Sequence, residues 1–258
     1  MALPRFFITF PADHAPLEPA TSFSLAFEKD AHHHITNVLR LQVGEYLEIV
    51  QRDVWATWLC EIEQVDAENL MLRPVKEIET VQQPFETILV LGFSKGDTNE
   101  KVVRQASELG ISRIVPVLFA RSISRPNAKK ATGKVERLRK IAASAAQQSH
   151  RSDLPVIEDL MSFAQATDFL RELKPDLMLA PWEEESERSL TQQMAMSKLP
   201  DCPAVTLIIG PEGGITVDEI AQLEAIGAKS VSLGATILRV DTAAIAALAI
   251  VRAALESR

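Results

Sequence analysis

Only two cysteines occur in the 258-residue chain, Cys60 and Cys202. They stand too far apart for a metal-ligand spacing and too few for a disulfide framework. No apolar run approaches the roughly 18–20 residues of a membrane-spanning helix, and the longest, 243–251, stops at Arg252. Pro4 and Arg5 fall where a secretion signal would hold its apolar centre. These absences predict a cytoplasmic chain that uses neither membrane nor metal. The run His32-His33-His34 does not alter this, because consecutive side chains diverge on any regular backbone and no Cys or acidic partner stands at ligand spacing.

An excess of positive charge is also missing. The net charge is −8, which taken whole argues against a polyanionic partner. What is present is globular: 47% hydrophobic and 24% charged residues exclude disorder. The charge is unevenly placed. Residues 1–75 carry five Lys/Arg against eleven Asp/Glu, whereas 121–151 hold nine basic residues and one acid, a net of +8. A solvated helix face is the plain reading of a charge run. One this one-sided points to nucleic-acid phosphates, through Arg121, Arg125, Lys130, Lys134, Arg137 and Arg151.

The hydropathy pattern divides in two. Stretches 47–50, 56–62 and 69–72 read as short strands beside the turn residues Gly44, Asp53 and Asn69, with a helical piece over 30–41. A small β-barrel over 1–75 is predicted, followed by a polar linker over 76–84. Trp55 and Trp58, three apart, should face opposite sides of a strand. From residue 85 to 258 strands and helices alternate. Strands are predicted at 87–92, 113–118, 176–180, 204–209 and 229–233, and helices at 99–109, 134–149, 159–173, 216–226 and 242–256. Pro116 suggests an edge or a bulge. Such alternation predicts an α/β domain with a covered parallel sheet, and ligands at the carboxyl ends of its strands.

Two strand-end loops stand out. In Ile209-Gly210-Pro211-Glu212-Gly213-Gly214 a buried strand runs into glycines, and Thr216 with Glu219 then forms a capping box. It matches neither the dinucleotide nor the triphosphate fingerprint. In Leu233-Gly234-Ala-Thr-Ile237-Leu238-Arg239-Val-Asp241 one cation and one anion precede a helix of small residues. Asp241 or Thr242 could cap that helix; Arg239, in an apolar loop, is harder to explain structurally.

These motifs together resemble the SPOUT-class RNA methyltransferases and, more narrowly, the RsmE family of 16S ribosomal RNA uridine-N3 methyltransferases. Pro4-Arg5-Phe6-Phe7, His34-Ile35 with Val38-Leu39-Arg40 and Gly44, Lys95-Gly96-Asp97, Glu108-Leu109-Gly110 and Gln147-Gln148-Ser149 with Arg151 follow in the family's order. The chain departs from its pattern at Arg104-Gln105, His150 and Asp241, where a glutamate is usual. The resemblance implies a PUA-like RNA-binding barrel before a trefoil-knotted methyltransferase domain, and a homodimer acting on 16S rRNA of the assembled small ribosomal subunit. It implies S-adenosylmethionine bent against the 209–214 and 233–239 loops, with Leu179, Ala180 and Pro181 completing the pocket. RNA contacts would fall to Arg5, His34, Arg40 and Lys95 beside the basic run.

The sulfonium of that cofactor is a strong methyl donor, so the protein must align the acceptor and help N3 lose its proton. Arg239 is the candidate cation for the resulting anion, or else a phosphate grip, and Asp241 the candidate base. Glu212 could bond cofactor or RNA, or simply hold its loop. Competing readings are a ribose 2′-O-methyltransferase acting on tRNA or rRNA, a non-catalytic RNA-binding protein and a Rossmann nucleotide enzyme. The last lacks the fingerprint glycines.

Overall fold

A computed structural model describes residues 3–10, 17–26, 34–66, 69–80 and 83–258. The chain forms two compact units, residues 1–82 with 147–153, and residues 83–146 with 154–258.

The first unit is a five-stranded sheet of order β1-β3-β4-β5-β2. Its strands are β1 (Arg5–Ile8), β2 (Phe23–Ala26), β3 (Tyr46–Gln51), β4 (Ala56–Val65) and β5 (Asn69–Ile78). β1 runs parallel to β3 and the other pairs are antiparallel. Register shifts at Leu59/Cys60 and Ile62/Gln64 add the local twist that bulges bring to a long strand pair. Among the described residues β1 and β2 do not pair, so the expected barrel is a curled half-barrel. Its core gathers Phe6, Ile35, Leu47, Ile49, Trp58, Cys60, Ile62, Leu70 and Leu72. Trp55, by contrast, is exposed in a turn at φ 53°. Of the helix expected over 30–41, residues 30–33 lie outside the described residues; His34–Val38 form one π-helical turn.

Two boundaries shift. β5 runs on to Ile78, three residues into the expected linker, because β4 offers partners as far as Thr57. Residues 147–153 belong with the first unit, where Arg5 bonds the His150 carbonyl. A pattern read along the chain misses such a return contact.

The second unit is a parallel sheet of order β12-β10-β11-β6-β7-β8, with β9 also beside β7. Its strands are β6 (Glu86–Gly92), β7 (Arg113–Leu118), β8 (Val156–Ile157), β9 (Met161–Ser162), β10 (Leu177–Pro181), β11 (Ala204–Ile209) and β12 (Lys229–Val231). Its helices are α1 (Thr98–Glu108), α2 (Ala128–Gln148), α3 (Phe163–Leu173), α4 (Leu190–Met196), α5 (Val217–Ala225) and α6 (Val240–Glu256). Alternate residues of β6 serve two cores. Leu89 and Leu91 pack with α1, α2, α4 and α6, while Ile88 and Val90 pack with α3 and α5. Pro116 is not at an edge. β8 pairs Arg113 and Ile114, and β9 pairs Val117 and Leu118, so the residue without an N–H falls in the gap between them.

Candidate functional site

β6 lies beside β11, while its sequence neighbour β7 lies on its other side. The strand order therefore reverses at β6/β11, where open α/β sheets form their ligand crevice. A cleft of about 630 Å³ opens there, walled by Pro181, the 209–215 loop and residues 237–241. A smaller recess of about 120 Å³ adjoins it at Trp182 and 232–236, sharing Pro181, Glu183, Ile237 and Leu238.

Most residues expected at a cofactor come together here. Pro181, Ile209, Gly210, Pro211, Glu212, Gly213, Gly214, Ile237, Leu238 and Arg239 line the larger cleft, and Leu233 and Gly234 the smaller. Leu179 and Ala180 do not. They are interior to β10 and their side chains enter the two cores on opposite faces of the sheet. Reading the end of that strand from sequence placed the pocket two residues too early.

The glycine loop is held from several sides. Gly214 has φ +75°, a left-handed conformation that favours glycine; a Cβ there would meet only the flexible carboxylate end of Glu183. Arg121 Nη1 donates to the Gly213 carbonyl (3.2 Å) and Trp182 Nε1 to that of Ile215 (3.2 Å). The capping box forms as expected: Glu219 N–H donates to Thr216 Oγ1 (3.2 Å), and Thr216 N–H to Glu219 Oε2 (3.0 Å). The turn bearing Glu183 is fixed at Glu185, whose carboxyl is held below its usual range by the backbone N–H groups of Glu187 and Arg188.

At the start of α6 the expectation is corrected. Arg239 is the N-cap residue, with φ −67° and ψ 157° and no side-chain capping bond. Asp241 lies inside the first turn and accepts from Thr242 N–H (3.0 Å). Neither Asp241 nor Thr242 is the cap, because the chain turns helical at Val240. A first-turn carboxylate is still favourable to the helix dipole. Among the described residues, the guanidinium of Arg239 makes no hydrogen bond or ion pair. It is exposed at the cleft.

One wall went unread in the sequence. Asp97, at the end of the β6–α1 turn, and Thr98 and Lys101, from the first turn of α1, complete the larger cleft. Lys101 Nζ stands 3.1 Å from Asp97 Oδ2, and this hydrogen-bonded ammonium holds the Asp97 carboxyl below its usual range. The i,i+4 spacing was a signal for the pair. Only the strand order brings it beside the glycine loop.

The expected RNA residues divide. Lys130 and Lys134 are exposed on α2, where Lys134 Nζ lies 5.1 Å from the Phe93 ring centroid. Arg137 is 68% exposed although paired with Glu100 at 2.8 Å. Lys95, Arg121 and Arg125 are exposed, and Arg125 donates to the Phe119 and Ala120 carbonyls. In the first unit Arg40 is exposed, and the side chain of His34 lies outside the described residues. Arg5 and Arg151 are engaged within the first unit. The Arg5 side chain is 8% exposed and bonded to Glu48 at 2.7 Å; that of Arg151 is 9% exposed and pairs with Asp153 at 2.6 Å. Neither offers a free cation. Among the described residues no group of three His, Cys, Asp or Glu is placed to hold a metal, and no helix is long and apolar enough to cross a membrane.

Residues 81–252 match the family model of the RNA methyltransferase domain. Ribosomal RNA small subunit methyltransferase E of Bacillus subtilis is 31% identical over 90% of both chains. A Legionella pneumophila protein described as a methyltransferase, solved with the cofactor SAM bound, is 28% identical over 98% of both chains, with TM-score 0.84. A ribosomal RNA small subunit methyltransferase E of Neisseria gonorrhoeae, bound to S-adenosyl methionine, is 25% identical over 96% of both chains, with TM-score 0.80. With the family model matching most of the chain and the Bacillus relative aligned nearly end to end, this chain belongs to the RNA methyltransferases of the ribosomal RNA small subunit methyltransferase E family.

Proposed function

We propose that the chain transfers a methyl group from S-adenosylmethionine to N3 of a specific uridine in 16S ribosomal RNA. The observation that carries this reading is the Arg239 guanidinium, unpaired among the described residues, on a glycine-walled cleft at the switch point of the sheet. The relatives' names supply the class of RNA, and two of the solved neighbours hold the cofactor. The assembled small subunit as substrate, the cytoplasm, the homodimer, the trefoil knot and the PUA-like character of the first unit rest on the family resemblance.

The cleft suits this cofactor. Its volume lies within the usual range for small-molecule pockets. Pro181, Ile209, Ile237 and Leu238 give apolar walls, backbone of 209–214 offers polar groups, and Glu183 brings a carboxylate to a cationic ligand. When bound, S-adenosylmethionine supplies an electrophilic methyl group. The protein's own task is then to hold the uracil and ease the loss of its N3 proton. As that proton leaves, negative charge spreads onto O2 and O4. A guanidinium beside either oxygen lowers the cost of the anion, and Arg239 has its donors free to do so. Asp241, two residues on in the same cleft, is the carboxylate assigned to receive the proton.

Nucleoside mass spectrometry of 16S rRNA from cells with and without the gene tests the reading. Loss of 3-methyluridine, restored by the gene, is expected. Loss of a 2′-O-methylated nucleoside instead would favour the ribose reading. Failure of the purified protein to bind S-adenosylhomocysteine in calorimetry would remove methyl transfer altogether.

A further inference from the structure

The wall missing from the sequence reading is tied to the glycine loop by one side chain. Lys95 N–H donates to Glu212 Oε1 at 3.0 Å. Next to it, Ser94 N–H donates to Asn99 Oδ1 at 2.8 Å, and Asn99 Nδ2 to the Gly92 carbonyl at 3.3 Å. The start of the turn is thus braced internally, and Lys95 is where it reaches across. The two loops are in close register at their roots, since a Cβ on Gly92 would lie 2.2 Å from Pro211 N. Beyond Lys95 the turn delivers Asp97 and Thr98 to the cleft. None of Asp97, Thr98 and Lys101 borders the smaller recess, which is bounded by Trp182 and 232–238. They line only the larger cleft, the side left for the incoming nucleotide once a cofactor lies against the glycine loop and 233–239.

We infer that Glu212 is a positioning residue and not a cofactor ligand: it latches the 94–98 turn to the glycine loop and so sets the acceptor-side wall against which the target nucleotide is held. This rests on the methyltransferase reading above. A wall that drifts by an ångström misaligns acceptor and donor, which costs rate more than binding. The latch requires an oxygen acceptor at the end of a side chain of this length, and not its charge. Glutamine supplies one.

Glu212→Gln and Glu212→Ala in the full chain separate the possibilities. Three readings apply: methyl transfer to small-subunit RNA, calorimetric affinity for S-adenosylhomocysteine, and amide exchange at Lys95. Glu212→Ala is expected to lower kcat by roughly ten- to a hundredfold, to leave the affinity within about twofold, and to speed exchange at Lys95. Glu212→Gln is expected to restore all three to near wild type. The inference is overturned if Glu212→Ala loses cofactor-product affinity in step with rate, if it keeps full activity, or if Glu212→Gln is as poor as Glu212→Ala. An unchanged thermal midpoint shows that the variants fold, and if Glu212→Ala does not, the glutamine variant alone decides by its kcat and Lys95 exchange. Failure of the methyltransferase reading would appear in the wild type as absent methyl transfer, while exchange at Lys95 would still report the latch.

Discussion

Glu219 and Ala120, 99 residues apart, meet in a hydrogen bond of 2.7 Å in which Glu219 Oε1 accepts the Ala120 N–H. The other carboxylate oxygen accepts from Thr216 N–H at 3.0 Å and from Thr216 Oγ1 at 2.9 Å. One buried carboxylate therefore caps α5 and also anchors the loop that leads to Arg121. Removing it leaves two backbone donors without partners, each costing about 1–3 kcal/mol if buried. Glu219→Ala is expected to destabilise the protein by about 3 kcal/mol in urea unfolding. Glu219→Gln keeps an acceptor for only one of the two N–H groups and sets an NH2 against the other, so at least about half of that loss should remain.

Arg5 offers a second stability test. Its side chain and that of Glu48 are 8% and 13% exposed in their ion pair. Arg5→Met keeps the apolar stem but leaves the carboxylate without its cation, a change that costs about 3 kcal/mol where the pair is well buried. The expected result is a lower thermal midpoint with RNA affinity unchanged in the folded fraction. Weaker RNA binding at constant stability would return Arg5 to the RNA surface.

The legible parts of this molecule were those with a local signature. The β6–α1 and β11–α5 units, the Thr216–Glu219 capping box and the glycine loop announce themselves within short, contiguous stretches of sequence. The 237–239 wall was legible through its motif. Strands β1 and β2 were not, because Arg5–Ile8 and Phe23–Ala26 are four residues each and their partners lie far along the chain. Asp97 and Lys101 were missed because strand order, and not spacing, puts them on the cleft. The pairing of Arg5 and Arg151 was not legible, because a cation shows its sign in sequence but not its partner.

Cys60 gives the pH dependence. Burial pushes its thiol up to about 12 from 9.0. The folded state thus keeps its proton where the unfolded chain begins to lose it. The contribution is complete below about pH 9 and is lost as pH rises toward 12, at up to about 1.4 kcal/mol per pH unit. Stability measured from pH 8 to 11 should fall faster in the wild type than in Cys60→Ala. In the native protein at pH 8, iodoacetamide should label Cys202, which is exposed, and spare Cys60 until denaturant is added.

For the basic helix, Lys130 and Lys134 are the better probes. Reversing Arg137 would set a carboxylate against Glu100, its present partner, and confuse stability with binding. Lys130→Glu with Lys134→Glu should weaken RNA binding for every sequence tested and lower the salt slope by about 1–2. Affinity for S-adenosylhomocysteine should not change. A wild-type salt slope in the double variant would make this face solvent-directed only.

Arg239 and Asp241 can be separated because neither side chain caps α6. Arg239 caps α6 through its backbone alone, so Arg239→Lys and Arg239→Ala should leave the thermal midpoint nearly unchanged. If the guanidinium stabilises the uracil anion, Arg239→Lys retains the charge but loses the planar fork. Turnover then falls by at least about tenfold, less than the roughly hundredfold or more for losing a donor outright because the charge remains, while RNA affinity stays within about twofold. If it grips a phosphate instead, affinity falls first and saturating RNA restores the rate. For Asp241, the only bond among the described residues is to the adjacent Thr242 N–H, which asparagine can also accept. Asp241→Asn should therefore be close to wild type in stability. As the base, Asp241 would leave an acidic limb in the pH–rate profile that Asp241→Asn abolishes along with most of the turnover. If solvent takes the proton, the variant keeps its rate and the profile climbs with pH toward the nucleobase's own ionisation. That outcome would remove Asp241 from the chemistry and leave Arg239 as the residue of the 237–241 wall that acts on the reacting ring.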